Sequence, residues 1–310
     1  MITYPSPSPS KVWTARELAA VENTTPDWLI RGLWTHGSKI ACVGDSRSYK
    51  SWVMADVVLH LAAGERWLGF DVSKVRRVAY VDEEMNLKLA ARRLQRLCKG
   101  SNLDLRELPL RLLSQQAVRM VQGGPEKLLK DLGDFDPEVI VIDTLLQVIE
   151  GDVNTNRDVA VYYNRLKPLI HGGSRTVYTT HHLTKEHPDP RMRRNEDVRT
   201  LGGGYIVGGS DEHFSLSRKI TPRGLDSRST MKFWKNREGV EGQPIHLTVE
   251  DMGPCGDYRC DVTGQTTIHF CPARIVRVEE RAASHPTPLD PESIRDVLTR
   301  PLDDDAPSSS

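Results

Sequence analysis

Gly44-Asp45-Ser46-Arg47-Ser48-Tyr49-Lys50-Ser51-Trp52 is a stretch whose residue types suit one task, the binding of phosphate. A short β-branched run, Ile40 to Val43, leads into it. The apolar run Trp52 to Ala63 leads out as a helix that stops at Gly64. In such a strand–loop–helix the backbone N–H groups at the helix start face the phosphates. A lysine then reaches the β and γ oxygens, and a serine hydroxyl meets Mg2+. Gly44, Lys50 and Ser51 satisfy the spacing G-x-x-x-x-G-K-[ST], with Lys50 read as a solvated loop lysine; Tyr49 stands where that spacing has a glycine. A side chain there either carries backbone strain of about 1–3 kcal/mol or sends the loop along a different path.

Other groups of matching chemistry end apolar runs, where an α/β sheet presents its ligands. Val139-Ile-Val-Ile-Asp143 ends in a carboxylate suited to holding Mg2+ directly or through water. The plainer reading of Asp143 is a polar strand terminus. Arg77-Val-Ala-Tyr-Val81 runs into Asp82-Glu83-Glu84-Met85. Either glutamate suits the orientation and deprotonation of an attacking water, and either equally suits the first turn of a helix, where the dipole favours negative charge. Thr176-Val-Tyr-Thr-Thr180 ends in His181-His182, and His182 is placed to hydrogen-bond a γ-phosphate.

These groups need a rigid frame. Continuous apolar runs alternating with helical segments predict a mainly parallel sheet covered on both faces. The helical segments span Asn86 to Cys98, Glu126 to Leu132 after Pro125, and Asp158 to His171, bent or ended near Pro168. Beyond Asp211 strands follow one another without helices (Glu212 to Arg218, Ser229 to Asn236, Pro244 to Glu250), which predicts an antiparallel extension. Thr14 with Glu17 forms a capping box for a short helix near the N-terminus. The expected organisation is an arm over 1–27, a core domain over 28–250, a small β appendage over 251–281 and a mostly disordered tail over 282–310 that has room for a short helix from Pro291 to Arg300.

Composition limits the alternatives. The chain has 310 residues, 38% hydrophobic and 27% charged, with a net charge of zero, so any nucleic-acid contact has to be local. No apolar run approaches the roughly 20 residues that span a bilayer. The start, Met1 to Ser10, lacks the basic and apolar regions of a signal peptide. Five cysteines point to a reducing cytoplasm. Cys255, Cys260 and Cys271 with His269 match no common zinc spacing.

The order of phosphate loop, strand-end glutamate, strand-end aspartate, strand-end histidine and a late Lys-x-Arg resembles the RecA-like ATPase core of ring-forming replicative helicases. It is most similar to the single-domain hexameric helicases of the plasmid RepA type and their phage relatives, over about Trp28 to Glu250. Glu84-Met85-Asn86, with Arg93-Leu94 following, is similar to the motif carrying the catalytic base, and the resemblance selects Glu84 over Glu83. Thr180-His181-His182-Leu-Thr-Lys185 resembles the family's His-His-x-x-Lys and implies a role for His182. Gly203-Gly204-Tyr205-Ile206 through Asp211 is similar to the stretch before its later strands. Lys235-Asn236-Arg237-Glu238-Gly239 resembles its Lys-x-Arg-x-Gly, which implies that Lys235 and Arg237 act on a neighbouring subunit's nucleotide. Tyr49 is the main departure.

The resemblance implies ATP and Mg2+ as cofactors, a homo-oligomer with a hexameric ring as its form, and movement on single-stranded DNA. A loader, primase or initiator protein would then be needed as partner. Nucleic acid would meet pore-facing loops, one carrying Lys185, Arg191, Arg193, Arg194 and Arg199, the other Arg157. The first also holds Glu186, Asp189, Glu196 and Asp197, so its excess charge is small, and its plain reading is a solvated loop. Two other functions fit the same core: a DNA-dependent recombination or repair ATPase forming filaments, and a nucleotide-responsive scaffold with little turnover.

Overall fold

The structure is a computed structural model that describes residues 12–20, 26–170, 175–182, 204–221, 224–236, 243–251, 257–259, 266–268 and 273–277. The chain divides into two units, Met1–Val278 and Glu279–Ser310, and every described residue belongs to the first. The basic stretch from Lys185 to Arg199, together with Arg237, Cys255, Cys260, His269 and Cys271, lies outside the described residues.

Strand β3 (Lys39–Gly44) is at the centre of a nine-stranded sheet. On one side it pairs in parallel with β7 (Thr176–His182), and the sheet continues through β6 (Val139–Asp143), β4 (Val78–Asp82) and β5 (Leu110–Ser114). On the other side it pairs in parallel with β8 (Glu212–Thr221). From there β9 (Gly224–Lys235), β10 (Ile245–Asp251) and β13 (Ala273–Arg277) add antiparallel strands. The expected parallel centre and antiparallel extension are both present. Residues 273–277, grouped by sequence with an appendage, instead form an edge of the main sheet. Among the described residues the short strands β11 (Asp257–Arg259) and β12 (Thr266–Ile268) pair only with each other.

The apolar strands are continuous because they are buried twice. Ile40 and Cys42 of β3, Val78 and Tyr80 of β4, and Val139 and Val141 of β6 enter one core; the intervening Ala41, Val43, Ala79, Val81, Ile140 and Ile142 enter the other. The first core is covered by α2 (Lys50–Ala63) and α3 (Leu87–Ser101). The second is covered by α4 (Gly124–Leu132), α5 (Leu145–Val148), α6 (Asn156–Arg165), α7 (Lys167–Ile170) and α8 (Gly204–Gly209). The segment read as one helix from Asp158 is thus two, α6 and α7, with Pro168 at the second position of α7. The sheet brings the C-terminal ends of β3, β7, β6 and β4 side by side, which lines up the residues that end those strands. The N-terminal helix α1 (Ala15–Ala19) has Thr14 and Glu17 joined in the expected capping box.

Candidate nucleotide-binding site

Gly44 ends β3 against β8. A Cβ on Gly44 would lie 2.3 Å from the Leu216 carbonyl oxygen, so only glycine lets the two strands approach. The loop then turns through two left-handed residues that are not glycine, Arg47 (φ 65°) and Tyr49 (φ 71°). The chain resolves the sequence ambiguity by strain: Tyr49 takes the glycine conformation as N-cap of α2, at a cost of order 1–3 kcal/mol. Its ring is partly buried against the core below.

Lys50 opens α2 and is buried, in contrast to the solvated loop lysine expected from sequence. Its Nζ donates to the carbonyls of Gly44 (2.7 Å) and Asp45 (2.8 Å) and lies 3.5 Å from His182 Nδ1. Burial lowers its pKa, while the nearby Cys42, Asp143, Glu84 and Asp45 act to raise it. Ser46 and Arg47 are exposed, and Ser51 is half-buried at the second helical position. The Trp52 ring lies beneath Arg93 and Arg96, with guanidinium carbons 4.9 and 5.4 Å from the ring centroid.

The two candidate glutamates separate cleanly. Glu83 accepts from the backbone N–H groups of Gln116, Ala117 and Val118 and so pins the loop after β5. Glu84 turns the other way, with Oε1 3.6 Å from His182 Nε2. Contact with the His182 imidazole, followed by the charges of Lys50 and Arg93, holds the Glu84 carboxyl below the usual range against partial burial. A half-exposed carboxylate kept ionised beside a lysine and a histidine is chemically suited to accept a proton from water.

Asp143, at the end of β6, is buried and doubly held. Tyr80 donates to Oδ2 at 3.1 Å and Thr180 to Oδ1 at 2.5 Å. Beside it in register stands Asp82, a group that sequence reading passed over. Asp82 Oδ1 accepts from the N–H groups of Glu84 and Met85, while Oδ2 is buried without a hydrogen-bond partner among the described residues. Burial pushes its pKa up to about 6. The signal was available: two parallel strands each end in Asp, and neighbouring ends share a register.

The residues fit a Mg2+-nucleotide. An oxygen set of Ser51 and Asp143, with the second carboxylate Asp82 one strand away, matches the hard-ligand preference of Mg2+. The start of α2 supplies N–H donors, and Lys50 supplies the cation for phosphate. Ser51 and Asp143 would hold the metal; Gly44 to Trp52 would hold the nucleotide.

The AAA domain family model matches residues 4–188, more than half of the chain. The chain belongs to the AAA domain family. Among solved structures, this AAA protein is similar in fold to a KaiC-like protein from the hyperthermophilic archaeon Pyrococcus horikoshii. The identity is 12% and the TM-score 0.50, with 84% of this chain and 98% of that one covered. The RadB recombinase is also similar, at 14% identity and TM-score 0.47 over 69% of this chain and 87% of that one. No curated protein matches by sequence. The mainly parallel sheet, the phosphate loop and the flanking helices give the core the RecA-like P-loop fold expected from sequence.

Two further candidates of this AAA chain lie among the described residues, on other elements. Lys235, at the end of β9, donates to the carbonyls of Val207 (2.8 Å) and Ser210 (2.6 Å) and so closes the end of α8. Arg157 lies exposed in the first turn of α6. Among the described residues no helix is long and apolar enough to cross a membrane.

Proposed function

We propose that this chain is an ATP-hydrolysing motor that assembles as a ring, hexameric in form, and acts on single-stranded DNA. One observation carries the hydrolytic part: Lys50, His182 and Glu84 converge from β3–α2, β7 and the end of β4. In this reading Lys50 neutralises phosphate charge and Glu84 takes the proton of the attacking water. His182, touching both, links the base to the phosphate side. Mg2+ held by Ser51 and Asp143 would neutralise charge on the β and γ oxygens. Binding, alignment and charge neutralisation account for most of the rate in phosphoryl transfer, so the chain needs no covalent step.

The ring and DNA assignments rest on motif order. Arg237 would reach a neighbouring subunit's nucleotide with Lys235 beside it. Lys185, Arg191, Arg193, Arg194, Arg199 and Arg157 would track the DNA backbone, and a loader, primase or initiator would place the ring. The test is steady-state ATP hydrolysis with and without single-stranded DNA, alongside mass photometry of the same sample, with Lys50→Ala as the inactive control. The expected result is DNA-stimulated hydrolysis by a closed oligomer of fixed size. Open filaments of variable length would favour the recombination reading. ATP binding without stimulated turnover would favour a nucleotide-responsive scaffold.

A further inference from the structure

The phosphate loop is gripped from outside by one cross-strand pair. Arg218 of β8 and Ser229 of β9 are register partners. Arg218 donates through Nη1 to the Arg47 carbonyl at 3.0 Å, and its guanidinium carbon lies 4.1 Å from the centroid of the Tyr49 ring. Ser229 Oγ lies 3.0 Å from the Ser48 carbonyl and 3.1 Å from the Ser217 carbonyl. Three successive loop residues thus each touch this pair, and two of them hold left-handed backbone without being glycine. A strained conformation of that kind persists only where its surroundings over-determine it.

We propose that Arg218 is a positioning residue for the nucleotide site. By stacking on Tyr49 and bonding the Arg47 carbonyl, it holds the loop in the conformation a glycine would take unaided. Lys50 and the first N–H groups of α2 are thereby kept aimed at phosphate. The inference deepens the nucleotide reading and rests on it: affinity becomes a property of the β8–β9 strands as well as of the loop. The arginine is suited to this because its planar head stacks and donates at the same time, which a lysine ammonium cannot do.

The experiment uses the full chain as wild type, Arg218→Ala, Arg218→Lys, Tyr49→Gly and the Tyr49→Gly/Arg218→Ala double variant. Hydrogen exchange is followed by mass spectrometry on peptides spanning 44–52 without nucleotide, and a fluorescent ATP analogue is titrated in Mg2+. Arg218→Ala should speed loop exchange and weaken analogue binding, each by about tenfold, with the thermal midpoint little changed. Arg218→Lys should not restore either quantity. In the Tyr49→Gly background the Arg218→Ala change should cost clearly less in both, because the ring contact is gone and only the bond to the Arg47 carbonyl is left to lose. Unchanged loop exchange in Arg218→Ala, or the same loss in the Tyr49→Gly background, overturns the proposal while leaving the nucleotide site standing. A wild-type chain that binds no analogue, while Arg218→Ala still speeds exchange, would sink the nucleotide assignment and the positioning role with it.

Discussion

Glu84 and His182 face each other across the end of the sheet, carboxylate oxygen to ring Nε2 at 3.6 Å, while the other nitrogen of the ring faces Lys50. Replacing Glu84 with glutamine preserves shape but removes proton acceptance. Glu84→Gln should therefore keep ATP binding and lose about 10²–10⁴ in turnover, measured as single-turnover hydrolysis beside analogue binding. Glu83→Gln should behave differently: three backbone N–H groups lose a charged acceptor, so the thermal midpoint falls while turnover persists. Arrest by Glu83→Gln instead would move the base by one residue.

Asp143→Asn tests the metal side. An asparagine offers one acceptor oxygen to two donors, Tyr80 and Thr180, so one buried hydroxyl loses its partner at about 1–3 kcal/mol. The expected outcome is a higher Mg2+ requirement for analogue binding together with a modest loss of stability. A Mg2+ titration that superposes on wild type would remove Asp143 from the metal site.

Much of this site was legible in the sequence because it lies on strand ends, and strand ends are easily found where apolar runs stop. Asp143 and His182 stand out in that way, Gly44 and Lys50 by the phosphate-loop spacing, and the parallel sheet that aligns them follows from the same runs. What was not legible depends on register and on distant partners. Asp82 became visible only once β4 lay beside β6, and the resemblance that selects Glu84 gives no physical reason, which came only with the loop after β5 that engages Glu83. The strain at Tyr49 was foreseen as one of two options. Its stacking partner, Arg218, lies far along the chain on a strand whose sequence shows no sign of the contact.

A buried carboxyl in the first core gives a pH test away from the site. Asp56 of α2 accepts from Trp67 Nε1 at 2.9 Å and has His60 Nε2 3.8 Å away. Burial pushes its pKa up to about 7 from 3.8, and burial also holds His60 down. The folded chain thus binds the Asp56 proton more tightly than the unfolded chain. That stabilisation is complete below 3.8 and is lost as pH rises through about 7. Asp56→Asn removes the loss, so its thermal midpoint relative to wild type should climb between about pH 4 and about pH 7 and level off above, with at most about 4 kcal/mol at stake. A difference that does not change with pH would mean that Asp56 is ionised throughout.

The proposed DNA contact makes a salt prediction. Neutralising Arg191, Arg193 and Arg194 together removes three phosphate partners. Binding to single-stranded DNA should weaken, and the slope of log affinity against log salt should flatten by about 2. Fluorescence anisotropy over a salt series measures both. Unchanged slope and affinity would shift the contact to Arg157 and the loop before α6.

The grip on the phosphate loop also sets a schedule for biosynthesis. Arg47 and Arg218 are 171 residues apart in the chain, and Ser48 and Ser229 are 181 apart. A ribosome exposes the loop early and the residues that fasten it late, at about 5–20 residues per second. For many seconds the nascent loop therefore exists with β3 lacking both of its eventual neighbours, β7 and β8. Whatever the loop gains from this grip therefore waits for the β8–β9 hairpin, made 171 residues or more after the loop itself.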